Sequence, residues 1–163
     1  MKIKLHIGLD VHKNSIVVAT ASEDGSPPQH YGKWGGSTLC SQRGLVKLCK
    51  KFGVEKDEIR IAYEAGPTGF VLVRRLLQLG YDCIVVAPSE VPGKAGERVK
   101  TDKRDARKLA RLLRAGELEA IHIPEPQDEA VRDLCRARTD ASDALARAKQ
   151  QLGMFDSLRS PCG

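Results

Sequence analysis

Apolar and polar residues alternate with a period of two through residues 3–10, so Leu5, Ile7 and Leu9 share one face of an extended segment and His6, Gly8 and Asp10 share the other. A second apolar run at 15–21 follows after His12-Lys13-Asn14, and the pair reads as a β-hairpin. Past the turn-rich Glu23-Asp24-Gly25-Ser26-Pro27-Pro28, the pattern predicts a third strand at 29–34 and a helix opened by Ser37-Thr38 that runs to about Phe52. The chain then alternates: a strand at 59–64, a helix from Pro67 to Leu79 ended by Gly80, a strand at 83–87, a basic loop with a helix through about Arg114, and a short strand at 120–123. Pro67 suits a first helical turn and Gly80 a helix end. This order implies an α/β domain with a mixed sheet and helices on its faces.

Beyond Pro124 and Pro126 the pattern changes. From Gln127 to Phe155 only Gly153 interrupts the helix formers, which predicts one long helix. Val131, Leu134, Arg138, Ala141, Leu145, Ala148, Leu152 and Phe155 follow three- and four-residue steps, the spacing of a helix that packs along another. Arg138 and the alanines make the seam thin, so it needs a partner to be worth burying. The expected organisation is a domain over 1–124, the start of a coiled-coil and oligomerisation region over 125–157, and a flexible tail over 158–163.

Length and composition fit one compact domain: 163 residues, 41% hydrophobic and 29% charged. With no long apolar run, neither a membrane span nor a signal peptide is expected, and the location implied is cytoplasmic. The five cysteines are widely spaced without any Cys-x-x-Cys, which predicts reduced thiols rather than disulfides or a zinc site.

Charge changes the picture more. Nine basic residues against three acidic ones between Lys94 and Arg114 account for the whole net charge of +6, and the remainder balances at 18 of each sign. An excess confined to one segment suits a polyanion-facing surface. A solvated helix face is the plainer alternative.

The candidate chemistry lies in four carboxylates. Asp10 and Glu64 each close an apolar strand, where a solvated turn residue is also common. Carboxylates at strand ends can meet in one crevice and hold Mg²⁺ or Mn²⁺. Asp102 and Asp105 lie on the apolar side of their helix: with Asp102 at zero, Leu109, Leu113 and Ala106 fall within about 40° and Asp105 about 60° away, while the six basic residues from Lys103 to Arg114 take the far side. A first-turn acid also complements the helix dipole, but that does not explain the shared stripe. Four convergent carboxylates would repel unless divalent ions neutralised them, and two such ions can stabilise the attacking and leaving oxygens of a phosphodiester. In the hairpin turn, Lys13 could touch a phosphate and His12 could position water or metal, and an ordinary exposed turn fits both equally well. Tyr31 and Trp34 suit the core better than base stacking. Lys94, Arg98 and Lys100, on the loop into the acidic helix, are the expected phosphate contacts, joined by Lys103 and Arg104 at its start.

Three motifs in order, Ile7-Gly8-Leu9-Asp10-Val11-His12-Lys13, Tyr63-Glu64-Ala65-Gly66-Pro67-Thr68-Gly69 and Lys100-Thr101-Asp102-Lys103-Arg104-Asp105-Ala106, resemble the amino-terminal DEDD domain of insertion-sequence transposases related to the Piv DNA invertases. The resemblance covers about residues 3–155. It implies an RNase H-like (RuvC-like) fold in which Asp10, Glu64, Asp102 and Asp105 form an acidic tetrad that binds Mg²⁺, with Mn²⁺ as substitute. It further implies a nucleoid-associated DNA recombinase of mobile elements, guided in some members by an element-encoded RNA and assembled as a homo-oligomer through the long helix. The family continues into a carboxy-terminal domain with a serine nucleophile, whose motif neither Ser157 nor Ser160 matches, so a truncated chain that does not complete strand exchange alone is expected. Two other readings compete. A non-catalytic nucleic-acid-binding and oligomerisation module would bind nucleic acid in a salt-sensitive way without needing Asp102. An actin-like ATPase would also open with a strand, an Asp and a hairpin, but the chain is short for two lobes.

Overall fold

In the computed structural model, residues 2–66, 69–88 and 102–159 are described. The elements are β1 (Leu5–Val11), β2 (Ser15–Ser22), β3 (Gln29–Gly35), α1 (Thr38–Phe52), a 3₁₀ turn at Lys56–Glu58, β4 (Ile59–Glu64), α2 (Val71–Gln78), β5 (Asp82–Val86), α3 (Asp102–Ala115) and α4 (Pro126–Arg159). The five strands form one sheet in the order β3-β2-β1-β4-β5. The β1–β2 and β2–β3 pairs are antiparallel, whereas β1–β4 and β4–β5 are parallel.

The period-two alternation of β1 sorts its side chains as the sequence predicts. Leu5, Ile7 and Leu9 join Ile16, Val18, Ile59, Ile61, Tyr63 and Val85 on one face, closed by Leu45 and Leu48 of α1 and Leu72, Val73 and Leu76 of α2. Each such aliphatic side chain, taken wholly from water, contributes about 1.5–3 kcal/mol. On the opposite face Val17, Ala19 and Ala21 of β2 cluster with Ala106 and Ala110 of α3, a helix that also buries Leu109, Leu112 and Leu113. Helices therefore cover both faces, α1 and α2 on one and α3 on the other.

Local signals fix several boundaries. Ser37 caps α1, its Oγ accepting from the Cys40 amide at 3.2 Å. Two expectations are corrected. The helix predicted from Pro67 starts at Val71, because Gly69 takes a left-handed φ of +65° and its amide donates to the Gly66 carbonyl, so the chain turns before it coils. Pro67 and Thr68 themselves lie outside the described residues. The strand expected at 120–123 is not formed; the Ile121 amide donates to the Val85 carbonyl at 2.8 Å, one bond to the sheet edge without a ladder. Tyr31 and Trp34 pack partly buried against the core, edge-on to each other at 6.3 Å between ring centroids.

The chain divides into two compact units, Met1–Ile123 and Pro124–Gly163. The second holds α4, along which Val131, Leu134, Leu145, Leu152 and Phe155 are exposed. Among the described residues no helix is long and apolar enough to cross a membrane.

Candidate metal centre

The site is a consequence of close packing between α3 and β1. Gly8 lies under α3, where a Cβ would overlap the Ala106 carbonyl and sit 2.5 Å from the Ala110 nitrogen. With glycine below and two alanines above, the helix backbone comes down onto the strand. Asp10 is two residues along the same face of β1 from Gly8, and Asp102 is one helical turn before Ala106. The contact that brings Ala106 onto Gly8 therefore carries the first turn of α3 over the end of β1. The far end of α3 is tied down separately: Arg114 Nη1 donates to the carbonyls of Ser22 at 2.9 Å and Ser26 at 2.7 Å. This arginine, part of the predicted basic face, serves the fold.

Among the described residues, Asp10, His12 and Asp102 form a group whose donor atoms all lie within 4.8 Å of one another, close enough to share one ion. His12 Nε2 is 3.0 Å from Asp10 Oδ2 and 3.5 Å from Asp102 Oδ2. Asp10 keeps only 18% of its side chain exposed, against 56% for Asp102, so the site has a half-buried floor and an open rim. Burial pushes the Asp10 carboxyl above the usual carboxylate range; His12 pulls it down, and the carboxylates of Asp102 and Asp105 push it up again. A partly buried acid faced by two more acids is poorly matched to an apo site and well matched to a divalent cation, and two carboxylate oxygens with an imidazole nitrogen are competent ligands for one.

The other predicted residues fall as follows. Asp105 acts on Asp10 electrostatically and is not in the 4.8 Å group. Glu64 ends β4, parallel to β1; Gly8 pairs with Ala62 and Leu9 with Tyr63, so alternation puts Glu64 on the Asp10 face at the same carboxyl end of the sheet. It too lies outside the three-residue group. Lys13, Lys103 and Arg104 are exposed beside this end, Lys13 in the hairpin turn and the others in the first turn of α3. Lys103 and Arg107 stand near His30 of β3, whose imidazole is held below its usual pKa first by burial and then by these two cations. Lys94, Arg98 and Lys100 lie outside the described residues. Left out of the predicted tetrad is His12, whose signal was available: continuing the β1 alternation from His6, Gly8 and Asp10 by one step reaches it.

Comparison with known proteins agrees with this architecture. Residues 7–155 match a family model described as transposase, that of the IS110-type DEDD transposases. A Sinorhizobium fredii protein described as a transposase, y4qE, is 44% identical over 151 residues, covering 91% of this chain and 37% of that protein. The transposase for insertion sequence element IS1533 of Leptospira borgpetersenii is 38% identical over 156 residues, covering 95% of this chain and 44% of that protein. The chain thus spans less than half the length of these curated relatives. Thermus thermophilus RuvC aligns over 72% of this chain and 99% of its own with a TM-score of 0.50 at 11% identity, and the fold is accordingly RNase H-like with an added carboxy-terminal helix.

Proposed function

Since this chain belongs to the IS110-type DEDD transposase family, we propose that its globular unit is the metal-dependent phosphodiester-processing domain of an enzyme of DNA transposition. The observation that carries the reading is the approach of Asp102, from α3, to Asp10, at the carboxyl end of β1, through a shared His12 contact. Asp10, Glu64, Asp102 and Asp105 are the proposed acidic tetrad. When bound there, divalent ions, Mg²⁺ or Mn²⁺, supply neutralising charge at the attacking and leaving oxygens of the phosphodiester. Asp10 forms the floor of the centre, where its partial burial limits competing water. Asp102 and Asp105 approach from the helix and Glu64 from the neighbouring strand.

DNA is the proposed substrate. Lys13, Lys103 and Arg104 hold its phosphates beside the tetrad, Lys94, Arg98 and Lys100 are proposed as further phosphate contacts on the strength of the sequence, and an element-encoded guide RNA would meet the same charge. The exposed seam of α4 is proposed to pair with a second copy, which makes the long helix an assembly element.

The deciding experiment is calorimetric titration of the chain with Mn²⁺. Asp10→Asn is expected to weaken binding about tenfold or more, since it removes the partly buried carboxylate at the floor of the centre. An unchanged dissociation constant would reject the centre. A binding module without catalysis would instead retain salt-sensitive DNA affinity after Asp102→Ala and carry no metal requirement.

A further inference from the structure

We propose that His12 is a direct nitrogen ligand of the divalent ion, making the centre a mixed imidazole–carboxylate site that prefers transition-metal ions such as Co²⁺ over Mg²⁺. The inference rests on the reading that Asp10 and Asp102 hold metal, and it adds a ligand that the acidic tetrad does not contain.

Three observations support it. The first is backbone placement. The hairpin closes on a reciprocal pair, the His12 amide donating to the Ser15 carbonyl at 2.9 Å and the Ser15 amide to the His12 carbonyl at 3.4 Å. His12 is therefore held as the next paired position after Val11, and alternation aims its side chain to the face of Asp10.

The second is donor spacing. Ligands about 2.1 Å from one ion lie about 3.0 Å apart at adjacent octahedral corners and about 3.4 Å apart at tetrahedral ones. The imidazole nitrogen is 3.0 and 3.5 Å from the two carboxylate oxygens, so the ring already stands at ligand spacing from both. The same nitrogen faces both carboxylates, so it stands where it can share one ion with the pair.

The third is the support of the turn. The Gly36 amide donates to the Asn14 carbonyl at 3.1 Å, and a Cβ on Gly36 would lie 2.5 Å from the Lys13 carbonyl oxygen and 2.9 Å from the Asn14 carbonyl carbon. The two-residue loop after His12 is thus pressed against the end of β3, which limits how far the imidazole can move away.

An imidazole nitrogen is a better ligand for Co²⁺, Ni²⁺ or Zn²⁺ than for Mg²⁺, which favours oxygen donors and keeps its waters. His12 should therefore affect the two classes of ion unequally. The test uses the full chain. Mn²⁺ bound to the unsubstituted protein is examined by electron spin-echo envelope modulation, which detects a directly coordinated ¹⁴N, and the affinities for Co²⁺ and Mg²⁺ are compared by calorimetry for the unsubstituted protein and His12→Gln. The expected result is a ¹⁴N modulation from bound Mn²⁺, with His12→Gln weakening Co²⁺ about tenfold or more and Mg²⁺ by less than about threefold. Bound Mn²⁺ without ¹⁴N modulation would overturn the assignment of His12 and leave the carboxylate centre standing. Equal loss of both ions in His12→Gln would also overturn it, pointing to a role in holding Asp10. Absence of Mn²⁺ binding to the unsubstituted protein would reject the metal centre itself. The spectroscopic arm needs no variant, so a misfolded substitution does not blunt it.

Discussion

The two faces of the central sheet are built on opposite principles. The face under α1 and α2 is packed with large aliphatic side chains, Ile7, Leu9, Ile61, Leu45 and Leu48 among them, and its task is to remove apolar area from water. Under α3 the helix also buries Leu109, Leu112 and Leu113, but where it crosses β1 the contact is made by Gly8, Ala106 and Ala110, and there the gain lies in distance: helix and strand approach until Asp102 comes within reach of Asp10. Large residues can be exchanged for others of similar volume at modest cost, whereas a contact made by the absence of side chains has no smaller substitute. Stability and site geometry should therefore separate between the two faces.

The largest effect on stability is expected on the aliphatic face. Leu45 is fully buried between α1 and the sheet, and Leu45→Ala should cost about 2–5 kcal/mol by urea denaturation, through lost transfer energy and the cavity left behind. At temperatures where the variant remains folded, its affinity for Mn²⁺ should match that of the unsubstituted chain. A large loss of metal affinity in folded Leu45→Ala would show that the two faces are not separable.

Gly8→Ala should show the converse pattern. One added methyl group collides with the backbone of α3 at Ala106 and Ala110, so the helix must lift or slide. Overpacking of this kind costs about 1–3 kcal/mol, less than Leu45→Ala, yet the same shift moves Asp102 away from Asp10. Binding of Mn²⁺ should fall about tenfold or more, in line with losses seen when the groups supporting a metal's ligands are disturbed. Retained affinity in a destabilised Gly8→Ala would mean that the first turn of α3 is positioned by something other than this contact.

The difference between the faces also explains what could be read in advance. Strand alternation, the Ser37 cap and the acidic stripe on α3 are local patterns, and the structure has the hairpin, all five strands and α3 near where those patterns put them. The α2 start was misplaced because Gly69 adopts a left-handed conformation that Pro67 gave no hint of. At 120–123, local β-forming residues met only one carbonyl of an edge strand. For His12 the alternation of β1 already pointed to the face of Asp10, and its pairing with Ser15, one residue past the end of β1, carries that alternation into the turn; its nearness to Asp102, on α3, had no local signal. The convergence of Asp10 with Asp102 depends on the Gly8–Ala106 approach, which joins residues almost a hundred positions apart and has no local signature.

The smallest expected effect lies at the far end of the α3 face and sharpens the contrast there. His6 shares that face with Gly8 and Asp10, is buried, and has its Nδ1 3.9 Å from Glu23 Oε2. Burial lowers its pKa below 6.5, with Glu23 acting in the opposite direction and Arg114 reinforcing the drop. The unfolded chain therefore takes up this proton more readily than the folded one. The stability linked to His6 is fully present above about pH 6.5 and is lost as the pH falls from there through the lowered folded value. Urea denaturation between pH 7.5 and 5 should show a decline in stability over this window that flattens in His6→Gln. If His6→Gln declines just as steeply, the acid sensitivity arises elsewhere, and the face under α3 tolerates a charged imidazole as readily as a neutral one.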